Sequence, residues 1–443
     1  MLKDRYGNQV STSSQTALRR FNDACELIRL YRGDPIASLD EALAEDPDFG
    51  MAWATRAGVL IQQTDLAYSQ QIARSLRAGA AANCSDRERE HLAAVAAWAE
   101  GRIHEGVSRF ARIVQNHPRD LIAAQAAHVG CFFTGQSAEL RDGPLQALRA
   151  FRRQDDGYHA LLGMAAFGYE ENGDYGRAEA VGQEATSLEP RDGWAVHAVA
   201  HVYEMKADVE KGISWLRDSS ASWAPESGFA YHNWWHLALL HLDRREFSEV
   251  LRLFDTKIRP AHTSVILEMI DASALLWRLR LEGVDCGEPW RALADSWARA
   301  AEQGLYAFND LHALMAFLGA GRTEDVVRTI ASMERAAAGT GDNAEMTRRV
   351  GLPLGKAFIA FAAGDYAAAY ESICAVRGIA IRFGGSHAQR DILTLTMLHA
   401  ALRGGLQESA RAIAAERLTH KLQSPWARAL HRQAFDTVAD AAA

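Results

Sequence analysis

The chain has 443 residues, 48% of them hydrophobic and 23% charged, enough for two or three ordinary domains or one long repeat array. Its formal net charge is −8, with Lys and Arg dispersed among a larger number of acids, which excludes the clustered basic surface of a nucleic-acid partner. No uninterrupted apolar run approaches the ~20 residues that span a bilayer, so no membrane partner is expected.

The opening Met1-Leu-Lys-Asp-Arg-Tyr-Gly7 has no apolar signal segment. Residues 1–14 read as a polar, flexible lead-in. From about residue 15 the apolar period is helical nearly everywhere and strand-like alternation is almost absent. Gly33-Asp34 followed by Pro47 marks a first helical hairpin. Asp86-Arg-Glu-Arg-Glu90 reads as a loop. Gly101 to Gly106, then Phe110 and Pro118, marks another hairpin. His128 and Cys131 follow, three apart on one face. Cys131 is a buried cysteine or, with a histidine base, a candidate nucleophile.

The clearest unit is Tyr169-Glu-Glu-Asn-Gly173-Asp-Tyr175-Gly-Arg-Ala178, then Ala185 and Pro190. Tyr169 would fill the gap between two helices, Gly173 turn the chain, Ala178 allow close approach, and Pro190 stop the second helix. Pro190, Pro225 and Pro260 recur every 35 residues, the period of a tetratricopeptide repeat. Arg245 to Pro260 and Gly364 to Ala369 are weaker copies, and Ala336 to Asn343 reads as a loop. The expected fold is all-α: a tetratricopeptide-like α-α superhelix, a solenoid of helical hairpins, as a single array over 15–435 that curls around a central polar pocket. Residues 436–443 are left as a tail. The five scattered cysteines form no Cys-x-x-Cys pair and suit a reduced, cytoplasmic setting.

The polar residues gather within this array. His197 and His201 stand four apart, and Glu204 follows on the same face. His232 and His236 repeat the spacing one hairpin later, beside Trp194, Trp234 and Trp235. Asn309, Asp310 and His312 come next. Arg390 and Asp391 follow the Gly384-Gly385 turn and read as opening a helix, where free N–H groups favour an anion. His128 and both histidine pairs fall in the first helix of their hairpins, the helix that lines the inner wall of such arrays.

Over residues 20–430 the chain resembles the tetratricopeptide repeat protein 38 family. The likeness is carried by Trp194-Ala-Val-His-Ala-Val-Ala-His-Val-Tyr-Glu-Met-Lys-Ala207, His232-Asn-Trp-Trp-His236, Phe308-Asn-Asp-Leu-His312, Val350-Gly-Leu-Pro-Leu354 and Gly384-Gly-Ser-His-Ala-Gln-Arg-Asp391. It implies an α-α superhelix in the cytosol and brings no agreed activity. His387 departs from it, standing where the family motif more often has Asn.

Three functions fit these residues. The first is a small-molecule enzyme of hydrolase, lyase or cyclase type. His197, His201, Glu204, His232, His236, Asp310 and His312 would serve as acid–base or metal-assisted groups, and His128, Trp194, Asn233, Trp235, Asn309, Arg390 and Asp391 would line the substrate. The second adds a divalent metal such as zinc on His197, His201, His232 and His236, since facing helices of bundles hold metals in this way. The third is non-catalytic: a scaffold binding a peptide or partner protein, with terminal Trp and Ala faces that suit a homodimer. Against all three stands a purely structural network of buried histidines. No Gly-Lys-Ser/Thr phosphate loop, no Gly-x-Ser-x-Gly elbow and no Gly-x-Gly-x-x-Gly turn is present, so no nucleotide cofactor is expected.

Overall fold

A computed structural model describes residues 2–436. Met1 and the expected tail beyond Asp436 lie outside the described residues. The fold is all-α, built of helices packed in successive pairs. It divides into two compact units, Met1–Val199 with Ser219–Ala230, and Ala200–Asp218 with Tyr231–Ala443.

In the first unit five hairpins succeed one another: Gln15–Leu30 with Pro35–Glu45, Gly50–Ile61 with Ser69–Ala81, Asp86–Ala99 with Ile103–Asn116, Leu121–Thr134 with Ser137–Leu148, and Tyr158–Glu170 with Tyr175–Leu188. The turn chemistry is as expected at Gly173, which takes φ +77°, a conformation open to glycine and costly for other residues. Ala178 is fully buried. Close approach needs small residues here: a Cβ on Gly168 would sit 2.4 Å from both the Arg141 α-carbon and the Leu140 carbonyl oxygen. Asp86–Glu90, expected as a loop, is instead the first turn of a helix. Ser85 and Glu88 close a capping box, with Ser85 N–H donating to Glu88 Oε2 at 2.8 Å.

The lead-in is also more ordered than its polarity suggests. Leu2–Lys3 pairs antiparallel with Gln9–Val10, and Tyr6, Val10 and Thr12 are buried. Its polar groups are tied to distant helices: Arg119 Nε donates to the Tyr6 carbonyl at 2.8 Å, Arg87 Nη2 to the Gln9 carbonyl at 2.9 Å, and Ser11 N–H to Glu88 Oε1 at 2.9 Å. Side chains that read as solvated are hydrogen-bonded within the protein.

The second unit repeats the plan with Ala230–Asp243, Ile266–Leu281, Gly287–Trp297, Ala307–Ala320, Thr323–Ala338, Leu352–Ala363, Tyr366–Arg377, His387–Arg403, Gln407–His420 and Pro425–Asp436. Its later helices return to its earlier ones. The 266–281 helix packs on 387–403, where Trp277 Nε1 donates to Thr396 Oγ1 at 3.0 Å and Arg278 Nη2 to the Ala388 carbonyl at 2.7 Å. Trp426 Nε1 donates to Glu282 Oε1 at 2.8 Å. Trp235, Trp277 and Trp297 are buried, and each large aromatic surface withdrawn from water contributes a few kcal/mol, ~25 cal/mol per Å². No helix is long and apolar enough to cross a membrane.

Candidate functional site

Within the second unit, His201 and Glu204 come from the Gly193–Lys206 helix, whose last turns belong to this unit. His232, Asn233, Trp235 and His236 come from 230–243, and Asp271 and Arg278 from 266–281. The imidazoles of His201 and His236 lie 4.4 Å apart between centroids, and those of His232 and His236 lie 4.9 Å apart, nearly perpendicular. One ligand nitrogen from each of these three residues lies within 4.8 Å of those of the others. His201 and His236 are fully buried and His232 nearly so. Trp235, also buried, stacks on His232 at 5.3 Å and forms an apolar wall.

Two of the rings are oriented by carboxylates. Nδ1 of His232 lies 2.6 Å from Asp271 Oδ2, and Nδ1 of His236 lies 2.9 Å from Glu204 Oε2. An ionised carboxylate only accepts, so Nδ1 of each ring carries a proton and Nε2 is turned away from the carboxylate. Burial pushes the Glu204 carboxyl up, opposed by Lys421, His201 and Arg278; Lys421 Nζ is 3.8 Å from Glu204 Oε1. Arg278 is buried over the Trp235 ring at 5.5 Å, and burial brings it down to about 10 against the pull of Asp391 and Glu204. Asp391 is held below the ordinary carboxylate range: burial would raise it, and Arg417, Lys421 and Arg278 outweigh that. The interior of this unit thus alternates buried acids with buried cations around three imidazoles.

The 307–320 helix packs on 266–281 and carries Asn309, Asp310 and His312, all buried. Asn309 and Asp310 share their surroundings with Tyr306, Trp297 and Ile266. Burial alone pushes the Asp310 carboxyl up to about 7, and its Oδ2 has no hydrogen-bond partner among the described residues. His312 Nδ1 donates to the Phe308 carbonyl at 2.7 Å, and burial brings the ring down to about 4 despite that bond.

The remaining expected residues belong to the first unit. His128, Trp194 and His197 sit there in an aromatic group. His128 packs 5.5 Å from Trp194, and His197 lies between Phe167 at 5.3 Å, Trp194 at 5.1 Å and Phe229 at 5.2 Å. His197 precedes His201 by one turn on the same helix. Burial brings His128 down to about 3, partly opposed by a backbone hydrogen bond at Leu140, and pushes Cys131 up to about 12. A ring so weakly basic does not draw the proton from a thiol so weakly acidic, so the two make no nucleophile–base couple at neutral pH. The first unit also holds a half-open cavity of about 290 Å³. It is walled mainly by the first helices of four successive hairpins, through Leu27 and Ile28, Thr55 and Val59, His91, and Gln125, with Pro35 and Phe110 from second helices. Thr55 Oγ1 is buried there without a hydrogen-bond partner among the described residues.

The helix start expected at Asp391 lies four residues earlier. Arg390 and Asp391 do not open their helix. It begins at His387, where Ser386 and Gln389 close a capping box over the N-terminal N–H groups. Arg390 turns back to the Gly385 carbonyl, and Asp391 accepts from Arg417 Nη1 at 2.5 Å. Sequence reasoning passed over Asp271, Arg278, Arg417 and Lys421. The first two had a signal: an acid and a base seven residues, two turns, apart on one face of a mostly apolar helix. The other two, Arg417 in the last turn of the 407–420 helix and Lys421 at its C-cap, belong to a stretch whose sequence looks solvated.

No protein-family model matches the chain. Among solved structures, it is similar to a crystal structure of the P58(IPK) tetratricopeptide domain at 12% identity, over 96% of this chain and 99% of that one. The TM-score of 0.20 is too low for that likeness to bear on the fold, which rests on the helix pairs described above.

Proposed function

We propose that the chain is a tetratricopeptide-like binding protein, of the family it resembles in sequence, that takes an extended peptide segment of a partner into the cavity of its first unit. The observation that carries this is the origin of the lining. Leu27, Thr55, His91 and Gln125 come one from each first helix of four consecutive hairpins, the position from which helical-repeat arrays present a binding surface. The lining is apolar with a few amide and hydroxyl groups, which suits backbone amides and an uncharged side chain. Its one cation, Arg32, already has Glu226 at 3.6 Å. Selection of a displayed peptide library on the purified protein tests this. Enriched peptides should lose binding to Val59→Trp, which fills the cavity from an incompletely buried position. Failure to enrich, or equal binding to the filled variant, refutes it.

The carboxylate–imidazole couples of the second unit favour a second reading, a small-molecule enzyme of hydrolase or lyase type. His236 with Glu204 and His232 with Asp271 would move protons, and Arg278 or Lys421 would neutralise a substrate anion. Turnover of a panel of esters, amides and hydroxy acids, abolished in His236→Ala, supports it. Activity equal in that variant rules it out.

A further inference from the structure

We infer that His201, His232 and His236 form a binding site for a divalent transition metal of the zinc class, with Glu204 and Asp271 as the groups that aim two of the rings. The inference deepens the second reading above and rests on the same residues.

Three features point to a metal. The first is convergence: three imidazoles from two helices bring ligand atoms within 4.8 Å of one another. A metal held at ~2.0–2.1 Å by each nitrogen requires nitrogens about 3–3.5 Å apart, which small rotamer adjustments provide. The second is tautomer control. A carboxylate on Nδ1 of His232 and of His236 is the arrangement by which metal-ligating histidines are fixed and made more basic. The third is donor type. An all-imidazole set matches zinc, cobalt, nickel or copper and mismatches magnesium and calcium, which take oxygen ligands. The buried Trp235 wall excludes bulk water from one side.

The test uses the full chain, stripped with chelator and titrated with zinc by calorimetry and with cobalt by visible absorption. One equivalent should bind, and cobalt should give the intense d–d bands of a four-coordinate site. His201→Ala and His236→Ala should each lower zinc affinity by more than about 100-fold, and Glu204→Gln by about 10–100-fold with an unchanged thermal melt. X-ray absorption of the zinc-loaded wild type reads imidazole scattering without any variant, so a misfolded alanine variant does not spoil the test. Absence of stoichiometric binding, an octahedral oxygen-rich cobalt spectrum, or unchanged affinity in Glu204→Gln overturns the site. Metal bound without turnover of any substrate supports the site and removes the enzyme reading. Turnover by metal-free protein that also fails to bind one equivalent of zinc keeps the enzyme reading and overturns the site.

Discussion

Asp310 carries a pH dependence that a single substitution can isolate. Its carboxyl is buried, Oδ2 has no partner among the described residues, and burial holds the proton to about pH 7. In the unfolded chain the same group releases its proton near pH ~3.9. Between those values the folded state binds the extra proton, so stability falls as pH rises through the window and levels off above about 7. At about 1.4 kcal/mol for each pH unit, the full window is worth about 4 kcal/mol. His312 works at the other end. Its ring, brought down to about 4, stays neutral when folded and costs stability as pH falls from about 6.5 toward 4. Asp310→Asn removes the first contribution and leaves the second. Urea denaturation of both proteins at pH 5, 6, 7 and 8 should show the variant gaining on the wild type by about 1 kcal/mol per pH unit up to about pH 7, and no further above it. Any constant offset from burying the amide does not alter that slope. Parallel profiles would show that the carboxyl ionises normally and that the argument from burial is mistaken.

Three more outcomes follow from packing and charge. Gly168→Ala should destabilise by at least about 1–3 kcal/mol, because its new Cβ meets Arg141 and Leu140 backbone that cannot yield, whereas Gly176→Ala, with open space around it, should be neutral or stabilising by up to about 1 kcal/mol; paired urea midpoints decide. Asp120 accepts from Arg87 and lies 2.8 Å from His91 Nε2, all three buried, so Asp120→Asn leaves the buried guanidinium with only Asp4, at 3.7 Å, as its carboxylate and should cost about 1.5–3 kcal/mol by the same measurement. Ser386→Ala removes the N-cap of the 387–403 helix and should lower stability by about 1 kcal/mol, read as a drop in thermal midpoint with unchanged helical circular dichroism.

Helix type and hairpin boundaries were legible because they rest on local chemistry. Tyr169, Gly173, Ala178 and Pro190 specify a turn and a close contact whatever the rest of the chain does. The pairing of His232 with His236 was legible for the same reason, a spacing that one helix converts into proximity. Partners across helices were not. Glu204, which the helical period placed beside His201 and His197, accepts its hydrogen bond from His236, and Asp271 and Lys421 reach the site from other parts of the chain. Polar residues were also misread where their partners are distant: Asp86 to Glu90 and the first fourteen residues look solvated, yet Ser85, Arg87 and Arg119 bind them into the fold. Asp391 looked like part of a helix start because two glycines precede it. Ser386, with Gln389 three residues on, is the actual start signal.

The division between the units falls at Val199 and Ala200, returns at Asp218 and Ser219, and crosses again at Ala230 and Tyr231. The backbone therefore passes from one unit to the other three times, and no single cut yields two intact halves. A truncation at Val199 would deprive the first unit of residues 219–230, from which Gly228 N–H donates to the Tyr31 carbonyl at 2.8 Å and Phe229 packs on Trp194 at 5.4 Å. The remaining piece would begin in mid-helix, at Ala200, one residue before His201. Dissecting this protein by domain boundaries would mean tying loose ends back in by circular permutation, since ribosomal synthesis itself cannot finish the first unit until residue 230 has emerged.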